Sequence, residues 1–100
     1  MSSPKYRLTL SPKAKQDLID IFCYIGEKWG CDQLLVYRDK LAEALKTLGQ
    51  NPYLGHCSEE LPETHRLYLV GSHVIIYRTQ EEMISVVRIL HQRMSLIRHV

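Results

Sequence analysis

The 100-residue chain has little of what marks a membrane, secreted or metal-dependent protein. No apolar run approaches the ~18 to 20 residues that a membrane span requires, and Met1 to Pro4 has neither the charged nor the apolar region of a signal peptide, so a cytoplasmic protein is expected. Cysteine is scarce. Cys23, Cys31 and Cys57 are odd in number and none stands in a C-x-x-C spacing, which argues against a paired disulfide framework and a zinc knuckle and leaves three reduced thiols as the expectation. His56 beside Cys57, with Cys31 elsewhere, lacks the regular ligand spacing of a metal site, so no metal is expected. A Gly-rich phosphate loop, an H-E-x-x-H pair and a G-x-S-x-G elbow are all missing, and no cofactor is implied. Internal repeats and low-complexity stretches are absent too, and after Glu82 no acidic residue remains.

What is present suits one compact domain spanning residues 1–100, since 45% of the residues are hydrophobic. The formal net charge of +2 hides an asymmetry: residues 64–100 carry Arg66, Arg78, Arg88, Arg93 and Arg98 against only Glu81 and Glu82. A basic C-terminal end points to an acidic partner, either nucleic acid or an acidic protein segment.

Hydrophobic periodicity orders the elements. Residues 5–10 alternate polar and apolar, the period of a half-buried strand. Ser11-Pro12 supplies an N-cap hydroxyl followed by proline at the first helical position. From there Ala14, Leu18, Ile21, Phe22, Ile25 and Trp29 form one helical stripe, with Lys13, Lys15, Gln16, Asp17 and Asp20 expected to face outward. Gly30 is placed to end this helix and Asp32 to cap a second, whose buried side is Leu34, Tyr37, Leu41, Leu45 and Leu48, before Gly49 and Asn51-Pro52 stop it. Joined by so few residues, the helices form an antiparallel hairpin. Residues 52–64 read as a surface loop. Two alternating runs, 65–70 and 73–79, then flank Gly71-Ser72 as a type II′ turn demands, and Gln80-Glu81-Glu82 leads into a last strand over 83–91. The expectation is an α+β fold, β-α-α-β-β-β, with the helix hairpin packed on a small, mostly antiparallel sheet. The tail over 92–100 carries no periodicity that assigns it.

Candidate chemistry is limited to His, Tyr and Arg on the strands and the C-terminal end. Phosphodiester cleavage needs a base, an acid and cations, and the set that could supply them is His65, Arg66, Tyr68, His73, Tyr77, Arg78, Arg88, His91, Arg93 and His99. Their spacing does not force them to converge, so a binding role for the arginines is favoured over catalysis. Tyr24 and Trp29 are expected in hairpin packing rather than as a stacking platform for bases.

The fragments together resemble the ParE toxins of bacterial type II toxin–antitoxin systems, within the ParE/RelE superfamily. The likeness runs over nearly the whole chain: Leu8-Thr9-Leu10-Ser11 with Ala14, Asp17-Leu18, Ile21 and Tyr24; Trp29-Gly30, Gln33 and Tyr37; Asn51-Pro52 and Gly55; then Gly71 to Arg78 and Val87 to Met94. The resemblance implies the same β-α-α-β-β-β fold, a toxin that poisons DNA gyrase without catalysing a reaction, and a ParD-like antitoxin that neutralises it in a hetero-oligomer. On that footing Arg88, His91, Arg93 and Arg98 are expected to face gyrase or its bound DNA, and Tyr24, Trp29, Arg66 and Tyr68 the antitoxin. The sister RelE-like toxins cleave messenger RNA on the ribosome. They carry an arginine where this chain has Val74 and basic residues in the loop that here holds Glu59, Glu60 and Glu63, whereas Arg93 and His99 match their C-terminal pattern. A missing transition-state cation would remove ~3 to 4 kcal/mol of charge stabilisation, which leaves the ribonuclease as the alternative.

Overall fold

The computed structural model describes residues 6–93. Six elements follow in the expected order: β1 (Arg7–Leu10), α1 (Pro12–Trp29), α2 (Cys31–Gln50), β2 (His65–Val70), β3 (His73–Gln80) and β4 (Met83–His91). The strands make one mixed sheet ordered β1-β4-β3-β2, with antiparallel β2-β3 and β3-β4 pairs and a parallel β1-β4 pair. Sequential hairpins account for the antiparallel part. The parallel pair arises because the chain leaves β1 through both helices and returns to its side only with the last strand.

Ser11 joins the first helix to the sheet. Its Oγ accepts the Ala14 amide at 3.0 Å as an N-cap and donates to the Val87 carbonyl at 2.7 Å, while its own amide bonds Val86 O at 2.9 Å. From there α1 and α2 lay their apolar stripes on one sheet face, burying Ala14, Ile21, Ile25, Leu41 and Leu48 against Ile75, Tyr77, Ile84, Val86 and Ile89. The opposite face has a smaller cluster, in which Leu61 from the 52–64 loop covers Val74, Ile76 and Leu90. The loop runs over the surface as expected, yet it is tied down. Tyr77 Oη donates to Pro52 O at 2.7 Å and accepts the Gly55 amide at 2.8 Å, and His56 exchanges both backbone bonds with Leu67 on the outer edge of β2.

Three local expectations change. The helices are separated by Gly30 alone, which closes α1 through its amide to Gly26 O and opens α2 with no side-chain cap, so Asp32 lies inside the first turn of α2 instead of capping it. Gly30 can do both because its φ of 91° and ψ of 174° fall in a region reserved for glycine. The turn before β4 is also tighter than expected. Gln80 pairs with Met83, leaving only Glu81 and Glu82 in the turn, and Glu81 takes the positive φ of 56° that glycine would normally supply. Finally, Tyr24 and Trp29 are 58% and 64% exposed, not packed into the hairpin. The other turn is as expected: Gly71 carries φ 58° and Ser72 does not, as type II′ requires.

Candidate partner-binding site

The exposed end of α1 forms one wall of a groove. Tyr24 and Trp29 stand on it, Gln33 and Tyr37 come from the start of α2, and Ser72, His73 and His91 close it from the ends of the sheet strands, around a volume of about 560 Å³. A second depression of about 310 Å³ continues it along α1 past Asp17 and Asp20, sharing Tyr24, His73 and His91. The strand register explains the histidines: His73 opens β3 directly opposite His91, which closes β4.

The Tyr37 hydroxyl ties the cluster together: it accepts the Ser72 amide at 3.3 Å and lies within hydrogen-bond distance of both Val70 O, at 3.1 Å, and His73 Nδ1. Burial, then the neighbouring His91, holds the His73 pKa below the ordinary 6.5, and burial pushes the Tyr37 hydroxyl up from 10.0. His73 is therefore mostly neutral at pH 7. The His91 Nδ1 accepts the Arg93 amide at 3.2 Å, and the two imidazoles meet edge to face at 5.4 Å. Gly71 makes the cluster possible, since a Cβ there would sit 2.9 Å from the Tyr37 ring. The sequence reading placed Tyr37 in the core and missed this role. Its position on the α2 stripe carries no local sign that its hydroxyl reaches a strand end.

A second trough, of about 690 Å³, lies on the other side of α2. It is lined by Val36, Lys40 and Glu43 from the helix and by Tyr68 and Leu69 from β2, and the two depressions approach each other at the Gly71-Ser72 turn. Arg66, on the same edge strand, donates to Gly55 O at 2.9 Å and lies over the Tyr53 ring at 5.3 Å. The four residues expected to meet the antitoxin thus fall into two pairs, Tyr24 with Trp29 and Arg66 with Tyr68, flanking α2.

The four residues expected to meet gyrase are not equivalent. Arg88 does not project outward. Its guanidinium forms a two-pronged pair with Asp17 of α1 at 2.8 Å for each prong, and the same carboxylate accepts the Ile89 amide at 2.9 Å. The side chains are only 16% and 12% exposed, so Asp17, expected on the outer face of α1, instead lies between helix and sheet. The cause is topological: β1 stops at Leu10 opposite Val86, a bulge follows in β4, and Asp17 takes the outward amide that a longer β1 would have paired. His91 lines the groove and Arg93 is exposed just beyond it. Arg98, like His99 and the rest of the expected tail past Arg93, lies outside the described residues. Val74 is 5% exposed, inside the second apolar cluster. Cys23, Cys31 and Cys57 are separate, exposed thiols. Among the described residues no helix is long and apolar enough to cross a membrane.

Fold and groove define a small α+β protein with an apolar and imidazole-lined concave surface. Residues 8–96 match the family described as the ParE toxin of type II toxin-antitoxin system, parDE, and the chain belongs to that family. Toxin ParE1 of Mycobacterium tuberculosis (strain ATCC 25618 / H37Rv) is 38% identical over 95 residues, covering 94% of this chain and 97% of the relative. Toxin ParE1 of Caulobacter vibrioides is 34% identical over 91 residues, covering 91% and 94%. A solved structure described as the chromosomal ParDE TA system from P. aeruginosa superposes with a TM-score of 0.76 at 24% identity, covering 89% of this chain and 98% of that one, and supports the fold.

Proposed function

We propose that this toxin poisons DNA gyrase and is neutralised by a ParD-like antitoxin that folds onto both sides of α2. The observation carrying the reading is the family match across residues 8–96 together with the groove that exposes Tyr24 and Trp29 on the same chain. Large aromatics left in solvent beside a concave surface are the anchors that partner interfaces favour. An antitoxin segment crossing the Gly71-Ser72 turn would reach Tyr24 and Trp29 on one side and Tyr68 and Arg66 on the other. Coupled folding of such a segment buries on the order of 1,000 to 3,000 Å² and gives a large negative heat-capacity change.

Gyrase or its bound DNA would be engaged by the acid-free end, through His91, Arg93 and Arg98. Arg88 serves that surface indirectly, since its pair with Asp17 holds α1 against the end of β4 and orients the segment that follows. No reaction is required of the chain in this account. Deleting Gln92 to Val100 should abolish growth arrest while antitoxin binding survives; unchanged toxicity after the deletion would refute the assignment.

A ribosome-dependent ribonuclease is the second reading, favoured by the edge-to-face pair of His73 and His91 beside Arg93. Purified chain in a translation reaction separates the two. Message cut in the ribosomal A site indicates the nuclease, and accumulation of gyrase-linked broken DNA indicates the poison.

A further inference from the structure

Among the described residues, the sheet face opposite the helix hairpin has a polar half that neither reading uses. Alternation along the strands sends Leu8, Leu10, Ile84, Val86 and Tyr77 toward the helices and their neighbours the other way. Strand register then lines up one row across all four strands: Thr9 opposite Ser85, Ser85 opposite Arg78, and Arg78 opposite His65. With neighbouring strands about 4.8 Å apart, four strands carry this row over roughly 14 Å. Two hydroxyls, a guanidinium and an imidazole thus share one line, and they edge a depression of about 390 Å³ that Ser11 also lines.

Arg78 is exposed, and among the described residues its guanidinium enters no hydrogen bond or ion pair, in contrast to Arg88 with Asp17 and Arg38 with Asp39. No acid stands in the row; Glu63, Glu81 and Glu82 lie beyond the strand ends. A guanidinium with no acid partner among the described residues, flanked by neutral donors, matches a phosphodiester backbone, whose protein contacts include arginine, serine and threonine side chains. Base stacking is not available there, because Tyr68 and Tyr77 pack against the helix-side core.

We propose that the row Thr9, Ser85, Arg78 and His65 binds the phosphate backbone of duplex nucleic acid without reading its sequence. The surface shares no lining residue with the groove, and the inference stands whether or not gyrase is the target. Fluorescence anisotropy of the full chain with a labelled duplex DNA, a single strand and a duplex RNA tests it. Arg78→Ala should weaken duplex binding by roughly 3- to 10-fold and lower the slope of log K against log salt by about 1. Arg78→Lys, which keeps the charge and loses the fork, should fall between, and Arg38→Ala on α2 should leave binding unchanged. Tighter binding of either duplex than of the single strand supports the proposal. Equal losses in Arg78→Ala and Arg38→Ala, no loss in Arg78→Ala, tighter binding of the single strand, or displacement of DNA from the face by a polyglutamate peptide at lower concentration would overturn it.

Discussion

At the scale of single residues, one hydroxyl holds more than its surroundings suggest. Tyr77 is fully buried in the helix-side core, yet its Oη closes the 52–64 loop by bonding Pro52 O and the Gly55 amide. Tyr77→Phe keeps the ring and leaves both backbone groups unsatisfied, so it should cost about 1 to 3 kcal/mol, read from urea unfolding. Gly55→Ala should be worse than an ordinary loop substitution, because a Cβ there would lie 2.4 Å from that hydroxyl and 2.8 Å from Leu67 O. Imidazoles set the pH response. The pKa of His73 is lowered by burial and by His91, and that of His65 by burial and by Arg78. Unfolded histidines therefore take up protons first as pH falls, so this contribution is complete above the ordinary pKa of 6.5 and is lost progressively below it. The denaturation midpoint should drop between about pH 7.5 and about pH 5.5, and a His73→Gln, His65→Gln double variant should show a smaller drop; an unchanged pH dependence would contradict the assignment.

At the scale of elements, the helix hairpin depends on one glycine and one serine. A Cβ at Gly30 would meet nothing within 4 Å, so Gly30→Ala isolates backbone strain from packing, and it should destabilise the chain by about 1 to 3 kcal/mol in chemical denaturation. Ser11→Ala removes the cap of α1 and its bond to β4 together, with an expected loss of about 0.5 to 2 kcal/mol. The Asp17–Arg88 pair works at the same level. It ties the second turn of α1 to a strand whose neighbour has already ended. Removing either partner leaves a mostly buried charge alone, and a loss of about 3 to 5 kcal/mol is expected for Arg88→Ala.

At the scale of the whole molecule, the chain carries one sheet with two differently finished faces. One is covered by the hairpin, whose Tyr24 and Trp29 line the groove, and the other is half apolar under Leu61 and half polar. Trp29 is the chain's only tryptophan and reports on the groove directly. Antitoxin binding there should shift its emission to shorter wavelength, and Trp29→Ala should weaken the complex by about 2 kcal/mol, roughly 30-fold in Kd. Emission that does not change at saturating antitoxin would place the partner elsewhere.

Much of the architecture was legible because it is written in short-range periods. Alternation over 65–70 and 73–79 about Gly71-Ser72, and the 3-and-4 spacing from Ala14 to Ile25, each depend on neighbours in the chain, and strand and helix geometry convert them directly into buried faces. The loss of Asp32 as a cap was not legible, since the choice between Gly30 and Asp32 turns on a backbone angle that both readings of the local sequence permit. The site was legible only as a set of residue types. Tyr37, His73 and His91 are 36 and 18 positions apart in turn, Asp17 and Arg88 are 71 apart, and only the pairing of strands and the length of β1 decide which meet. Local spacing thus determined the order of elements and the family likeness, whereas tertiary structure decided that Arg88 is held inside by Asp17, that Tyr24 and Trp29 stand in solvent, and that among the described residues Arg78 meets no acid, because each outcome depends on which distant elements pack together.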